Sequence, residues 1–187
     1  MEFELERKRM FHTFAAAADA GPYDELPVLR DGIDPQVHLS RNDRPQPFFL
    51  VCSRDTLVTQ LSGSGELELR YCGVRSHPLD PGDVVYVPAG APSRYVPDGI
   101  AVVLRYKALV PGLEGVVWFC ASCESEVHRD EFDTAEEIPQ AAYWRACQEF
   151  NAKVELRTCP SCGEVHPPVP VEGVRWPQIA EALRSAG

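Results

Sequence analysis

The sequence predicts a mainly β protein, a barrel or a sandwich, followed by a small metal-binding module. Two observations lead to this prediction. Short segments of strand-forming residues follow one another between positions 48 and 106 without helical patterns between them: FFLVC, LVTQL, ELELRYC, DVVYVP and IAVVLRY. Beyond them, two Cys-x-x-Cys pairs are separated by 35 residues, which indicates a site with four thiolate ligands.

The length and charge of the chain exclude some classes of partner. Its 187 residues are enough to bury a substantial core. It has no run of about 18 apolar residues, and its start, MEFELERKRM, is charged, so we expect a cytoplasmic protein that does not enter membranes. The formal net charge of -10 disfavours nucleic acid as a partner, because phosphate binding requires a basic face.

The N-terminal region, residues 1–34, is predicted to combine a helix with an irregular arm. Residues 4–19 are dominated by leucine, alanine, glutamate and lysine, and Gly21-Pro22 stops a helix after them. The segment 22–47 contains repeated prolines and many charged residues. These residues favour irregular or edge-strand structure.

The strand segments predict antiparallel pairing. In ELELRY, the side chains of Leu67, Leu69 and Tyr71 alternate with polar ones, as expected for a strand with one buried face. Residues 62–65, SGSG, are predicted to form a turn before this strand.

A jelly-roll barrel is predicted for residues 35–115. Gly82, Pro88 and Gly90 are spaced as glycine, five residues, proline, one residue and glycine, the spacing of the second conserved motif of the cupin β-barrels. This spacing favours the double-stranded β-helix of the cupins over a sandwich. In metal-binding cupins a histidine ligand stands at the position of Ser93.

The cysteine pairs predict a metal module at residues 116–167. Cys120 with Cys123 and Cys159 with Cys162 supply four soft ligands, suited to one structural zinc or iron ion. Unligated thiols, adventitious disulfides and an electron-transfer iron are the alternatives. A short helix is expected at residues 141–150, and the tail, residues 168–187, is expected to contain a terminal helix in WPQIAEALRSA.

Several motifs resemble those of the bacterial 3-hydroxyanthranilate 3,4-dioxygenases, nonhaem iron(II) enzymes that open an aminophenol ring. The resemblance runs from about residue 35 to residue 167 and rests on these stretches: Phe48-Phe49, Gly82-Asp83 through Pro88, GLEGVVWFC at 112–120, VHR at 127–129, and CPSCGEVHP at 159–167. It implies a cupin barrel with a C-terminal rubredoxin-like module of four cysteines. It also implies a homodimer.

The catalytic positions of this family are changed here. The resemblance implies an iron site of two histidines and a glutamate, whose places fall on Arg41, Ser93 and Pro47. We therefore expect no metal in the barrel and no ring opening. A small shift of the loop would bring His38 or Asp43 toward the pocket instead, so a rearranged metal site stays an alternative.

The exchange of ligands predicts an arginine-lined pocket at the barrel mouth. We expect it to bind a small anionic ligand, an aromatic or other carboxylic acid, because guanidinium groups bind carboxylates through paired hydrogen bonds. The candidates are Arg41, Ser93 and Arg105 for catalysis, and Arg41, Arg94, Tyr95 and Arg105 for ligand binding. Alternatively, these arginines pair with carboxylates of the chain itself, such as Asp43, Asp55 or Asp98.

Three functions follow from the sequence. The first is a divergent enzyme of secondary metabolism that acts on a small carboxylic acid without barrel iron. The second is a non-catalytic pseudo-dioxygenase that binds a ligand or a partner protein. The third is a dioxygenase with a relocated metal site. The sequence leaves open whether the protein is an enzyme.

Overall fold

The structure is a computed structural model that describes residue 8 and residues 10–186. Within this part of the chain, nine strands form one antiparallel sheet in the order β1-β2-β7-β3-β8-β9, and β4 pairs with β5, β6 and β7. The strands are β1 Leu26–Pro27, β2 Gln36–Asn42, β3 Phe49–Cys52, β4 Thr56–Leu69, β5 Ser76–Leu79, β6 Val84–Val87, β7 Ser93–Lys107, β8 Leu113–Phe119 and β9 Glu126–Asp133. The predicted mainly β barrel fold is confirmed.

The long strands β4 and β7 form the centre of the sheet. Residues 62–65 were predicted to be a turn, but they lie inside β4, opposite β7, where the register shifts between Gln60 and Ser64. A side-chain carbon on Gly63 would collide with the carbonyl of Ile100, and Gly63 has φ of 69°. The turn prediction is wrong because these glycines permit close approach of two strands rather than a reversal of the chain.

Alternation along β7 separates two apolar clusters. Ala101 and Val103 point into the barrel and belong to the main core. Val102 and Leu104 point outward, into a second cluster covered by residues of α1 (Thr13–Ala18) and α4 (Trp176–Ala186). Both faces of this part of the sheet are therefore buried, whereas the alternation in ELELRY predicted a strand with one buried face.

The face predicted for ELELRY is confirmed for two of its three apolar residues. Leu67 and Leu69 are buried in the main core. Tyr71 is 71% exposed, so its placement on the same face was wrong. The strand ends at Leu69, and Tyr71 has a positive φ of 61°, which breaks the alternation.

The N-terminal helix is shorter than predicted. Positions 4–7 and 9 of the predicted helix lie outside the described residues. Lys8 forms a parallel bridge with Leu29 instead of a helical turn, donating its N–H to Val28 O at 3.1 Å. Helix α1 then covers Thr13–Ala18. Pairing with the arm satisfies the backbone at Lys8, so the local helix propensity is overridden.

The two helices predicted downstream are confirmed. Helix α2 covers Pro139–Ala152, followed by the short α3, Val154–Arg157, and by α4 at the C-terminus. Phe150 of α2 stacks on Trp118 of the barrel with ring centroids 4.0 Å apart. Trp176 of α4 is fully buried in the same core. Aromatic packing therefore fixes both helices to the barrel.

The sheet extends beyond residue 115, where the sequence analysis placed the end of the barrel. Strand β8 pairs with β3, and β9 pairs with β8 up to Asp133. The first cysteine pair therefore lies in the connection between two strands of the sheet. Among the described residues, no helix is long and apolar enough to span a membrane.

Candidate functional site

Four charged side chains are buried inside the barrel. Arg105 and Lys107 point inward from alternate positions of β7, and Glu25 and Glu114 lie against them. The side chains of these four residues are at most 11% exposed. Charges this deep require partners, because removing an ion from water costs several kcal/mol.

The pair formed by Arg105 and Glu25 is loose. Its closest nitrogen and oxygen, Arg105 Nε and Glu25 Oε1, are 3.7 Å apart, too far for a hydrogen bond. Arg105 Nη1 donates to Ser93 Oγ at 3.4 Å. Arg105 Nε and Glu25 Oε2 are fully buried, and within the described part of the chain neither has a hydrogen-bond partner. The pair thus leaves one donor and one acceptor unused inside the barrel.

The pair formed by Lys107 and Glu114 is tight by comparison. Lys107 Nζ donates to both carboxylate oxygens of Glu114, at 3.1 and 3.0 Å. It also donates to Tyr143 Oη at 3.1 Å, and that hydroxyl donates to Glu114 Oε2 at 3.0 Å. Burial lowers the pKa of Lys107, but the Glu114 carboxylate outweighs it and the pKa is raised well above its usual value. This lysine is therefore charged and saturated.

His38 faces the same interior from β2. It lies directly opposite Arg105 in the β2–β7 register, and its Nδ1 donates to the carbonyl of Glu25 at 3.2 Å. Burial, and then the charge of Lys107, lower the pKa of His38 to about 3. Because a carbonyl only accepts, Nδ1 carries the proton and Nε2 is left as an unprotonated base.

A narrow cavity reaches the tight pair from the surface. Its volume is about 30 Å³, and its lining includes Cys52, Thr56, Lys107 and Glu114. This volume holds only water-sized groups. Thr56 Oγ1 is buried here without a hydrogen-bond partner. Burial, and then Glu114, raise the pKa of Cys52 to about 12, so this residue is a neutral thiol rather than a nucleophilic thiolate.

The predicted pocket residues divide between the two faces of the sheet. Ser93, Tyr95 and Arg105 point inward and are buried. Tyr95 donates its hydroxyl to Gln60 Oε1 at 2.8 Å, away from Arg105. The structure therefore brings together Ser93 and Arg105 among the predicted residues, and places Tyr95 in a hydrogen bond of the core.

Arg41 and Arg94 lie on the outer face, so they do not join the predicted pocket. Arg41 is paired in register with Val102, an outward residue. Arg94 forms an ion pair with Glu68 at 3.0 Å, and its guanidinium lies over the Phe49 ring, 5.3 Å from the centroid. Side chains of a strand alternate between its two faces with a period of two residues. The predicted inward position of Arg41 does not agree with this alternation.

Arginines of the predicted pocket do pair with carboxylates of the chain itself, but these are not the carboxylates that were expected. Arg105 pairs with Glu25 and Arg94 with Glu68, rather than with Asp43, Asp55 or Asp98. His38, named above only as a candidate for a rearranged metal site, lies in the interior site. Four further residues of this site were not predicted: Glu25, Lys107, Glu114 and Tyr143. Lys107 follows Arg105 by two residues on the same strand, and this spacing could have predicted that both side chains lie on one face. The irregular arm gave no such signal for Glu25.

The resemblance places the iron ligands at Arg41, Ser93 and Pro47, and none of these positions carries a histidine or a glutamate. Pro47 offers only its carbonyl, which accepts a hydrogen bond from Trp118 Nε1 at 2.9 Å. Of the residues considered for a rearranged site, His38 faces inward, whereas Asp43 is exposed and bonded to Arg44 at 2.6 Å. Among the described residues, only one group of His, Cys, Asp and Glu has donor atoms close enough for a common ion, and it lies outside the barrel.

That group consists of the four predicted cysteines, Cys120, Cys123, Cys159 and Cys162, whose sulfur atoms lie within 4.8 Å of one another. The Sγ–Sγ distances are 3.6 Å between Cys120 and Cys162 and 3.5 Å between Cys123 and Cys159. A tetrahedral site with metal–sulfur bonds of about 2.3 Å requires roughly 3.8 Å. The donor set therefore fits zinc or iron with little adjustment.

Each knuckle is shaped by backbone hydrogen bonds. The N–H of Glu124 donates to Cys120 O at 3.0 Å, and the N–H of Gly163 donates to Cys159 O at 2.9 Å. Gly163 has φ of 79°, a conformation that a residue with a side chain rarely adopts. These turns hold the sulfurs on one side of each loop, which leaves no open position once all four bind an ion.

The antiparallel barrel and the four-cysteine group define a cupin-type protein with a rubredoxin-like module. The chain is similar in sequence to curated 3-hydroxyanthranilate 3,4-dioxygenases. One from Ruegeria pomeroyi is 29% identical over 71% of this chain and 71% of its own length. One from a Jannaschia species is 32% identical over 58% of this chain and 61% of its own. One from Bacillus thuringiensis is 33% identical over 46% of this chain and 48% of its own.

Solved structures of low sequence identity also match. A hydroquinone 1,2-dioxygenase from a Sphingomonas species, solved with 4-hydroxybenzoate bound, gives a TM-score of 0.47 at 17% identity, covering 58% of this chain and 83% of its own. A cupin-2 domain protein from Shewanella frigidimarina gives 0.37 at 12% identity, covering 43% of this chain and 76% of its own. No protein-family model matches the chain.

Proposed function

We propose that this cupin binds a small carboxylic acid at Arg105 inside its barrel, and that the barrel does not hold the iron of the related dioxygenases. One observation carries the proposal: Arg105 Nε and Glu25 Oε2 are buried without hydrogen-bond partners. Each unmade hydrogen bond of a buried group costs about 1–3 kcal/mol, and more for a charged one. A ligand that supplies an acceptor to Arg105 Nε removes the part of this cost that falls on the guanidinium.

The charges of the interior support the absence of iron. A ferrous ion would add two positive charges beside Arg105 and Lys107, whose own charges are balanced by Glu25 and Glu114. The family's three ligand places are occupied by Arg41, on the outer face, by Pro47 and by Ser93. Ring opening that depends on this iron is therefore not part of the proposed function.

The chemistry of Arg105 supports a carboxylate as the ligand group. A guanidinium binds a carboxylate through two parallel hydrogen bonds, and this interaction is strong where water is excluded. The curated relatives are named for 3-hydroxyanthranilate, an aromatic carboxylic acid. We extend that ligand class, an aromatic acid, to this chain. The cavity of about 30 Å³ is lined by Lys107 and Glu114 and does not include Arg105, so the interior must widen at Arg105 for an acid to bind.

We further propose one structural metal ion, zinc or iron, at the four cysteines. The support is the sulfur geometry and the absence of any further ligand position in a four-thiolate site. Cys123 and Cys162 of the two knuckles are exposed, so a bound metal rather than burial would hold the knuckles together and would supply folding energy. The homodimer and the role in secondary metabolism stay predictions.

A binding screen tests the function. Calorimetry with 3-hydroxyanthranilate, anthranilate and benzoate should detect binding to the wild type, and benzamide, which lacks the charge, should bind at least tenfold more weakly. Arg105→Gln should reduce the affinity for each acid at least tenfold. Arg41→Gln is the matched control, because it removes an arginine from the outer face of the sheet, and it should leave the affinity unchanged.

Two results would refute the proposal. One is that none of the acids binds to the folded wild type. The other is that Arg105→Gln and Arg41→Gln bind the acids equally well. Because Arg105→Gln leaves the Glu25 carboxylate without its partner, the double variant Glu25→Gln/Arg105→Gln provides a charge-balanced form for the same measurement.

A further inference from the structure

The segment Tyr23–Glu25, called the strap below, carries a carboxylate into the ligand site. The strap lies between α1 and β1, and all three of its residues are buried. Tyr23 and Glu25 have positive φ angles of 52° and 48°. Such conformations cost about 1–3 kcal/mol per residue and persist only where the surrounding structure stabilises them.

The strap is bound to the rest of the fold through hydrogen bonds of its backbone. Trp176 Nε1 donates to Tyr23 O at 2.6 Å, and Gln140 Nε2 donates to Glu25 O at 2.7 Å. The N–H of Glu25 donates to Ser40 Oγ at 3.0 Å. By contrast, the Glu25 carboxylate forms a loose ion pair with Arg105 at 3.7 Å, and its Oε2 has no hydrogen-bond partner among the described residues. The side chain can therefore turn away from Arg105 without breaking any bond of the strap.

We propose that Glu25 is an internal competitor, whose carboxylate occupies the position that the ligand's carboxylate takes on Arg105. This inference rests on the proposed function. An acid that binds must displace Glu25 from the guanidinium, and the affinity of the wild type is reduced accordingly. The site is thus closed by its own chain until an acid of sufficient affinity opens it.

The same geometry restricts the ligand to a monocarboxylic acid. Among the described residues, Arg105 and Lys107 are the buried cations. Lys107 is saturated by the two oxygens of Glu114 and by Tyr143. A second carboxylate in the ligand would find no free cation and would be buried near Glu25 and Glu114, which is unfavourable.

Calorimetry with benzoate and phthalate tests this inference. Glu25→Gln should bind benzoate at least tenfold more tightly than the wild type, and this gain should vanish in Glu25→Gln/Arg105→Gln. Phthalate, a dicarboxylate, should bind more weakly than benzoate both to the wild type and to Glu25→Gln. Glu68→Gln is the matched control, since it removes the partner of Arg94 on the outer face, and it should behave as the wild type.

A second variant keeps the test valid if Glu25→Gln does not fold. Glu25→Asn removes the same charge, and asparagine tolerates a positive φ better than most residues. An unchanged or weaker affinity for benzoate in a folded Glu25 variant, with measurable binding by the wild type, overturns this inference alone. If neither the wild type nor the folded Glu25 variants bind benzoate, the proposed function fails as well.

Discussion

Glu25 and Arg105 face each other inside the barrel at 3.7 Å, between Oε1 and Nε, and neither completes its hydrogen bonds. One comes from an irregular strap and the other from the central strand β7. Their buried charges balance, so the loss of either one leaves the other uncompensated.

We therefore expect non-additive effects from neutral substitutions of this pair. Arg105→Gln should lower the free energy of unfolding by about 3–5 kcal/mol, because it leaves the Glu25 carboxylate buried alone. Adding Glu25→Gln to this variant should recover part of the loss. Urea denaturation of the four members of the double-mutant cycle measures both effects.

The outer pair of Arg94 and Glu68 serves as the control for this cycle. Its side chains are 33% and 32% exposed, so water screens their charges. Arg94→Gln should change the free energy of unfolding by no more than about 1 kcal/mol. If Arg94→Gln and Arg105→Gln destabilise the protein equally, Arg105 is not the buried charge described above.

His38 should make stability depend on pH below neutrality. Its pKa is about 3 in the folded protein, through burial and the nearby charges of Lys107 and Arg105, against an ordinary value of 6.5. At mildly acidic pH the unfolded chain therefore binds a proton at His38 that the folded protein does not bind. Stability from this residue is complete above pH 6.5 and is lost as the pH falls toward 3, by up to about 1.4 kcal/mol per pH unit.

Denaturation between pH 7 and pH 5 measures this contribution. His38→Asn retains a donor for the carbonyl of Glu25 but removes the titrating group, so its stability should fall less steeply with decreasing pH. Parallel profiles for the variant and the wild type would show that His38 titrates normally.

Trp176 should stabilise the strap through its hydrogen bond as well as its packing. Trp176→Phe keeps an aromatic ring but leaves the carbonyl of Tyr23, which accepts from Nε1 at 2.6 Å, without a partner. We expect a loss of about 1–3 kcal/mol in the free energy of unfolding, plus the cost of the smaller ring. Trp144→Phe on α2, where the indole is half-buried, should cost less; an equal loss would contradict a special role for Trp176.

The regular elements of the fold could be predicted from local patterns. Alternation placed Leu67 and Leu69 on the inner face, and the cysteine spacing identified the four residues that come together. The prediction that Tyr71 lies on this face was wrong because a single positive φ ended the alternation. The residues SGSG failed because glycine indicates either a turn or a close approach, and only the partner strand distinguishes the two.

The interior site could be predicted only in part. Ser93 followed from the cupin spacing and Arg105 from the resemblance to the dioxygenases. The assignment of Arg41 to the pocket was wrong because it ignored which face of β2 this residue occupies. Glu25 reaches the interior through two residues at positive φ in an irregular segment. No sequence period describes such a segment, so its buried carboxylate required the tertiary structure.

The metal content of the purified protein tests the central claim, that the barrel holds paired charges and the metal lies at the four cysteines. Elemental analysis should find about one zinc or iron per chain in the wild type, in His38→Asn and in Cys72→Ser, whose cysteine lies outside the cluster. Cys159→Ser should lose it. Iron that persists in Cys159→Ser and disappears in His38→Asn would contradict the account.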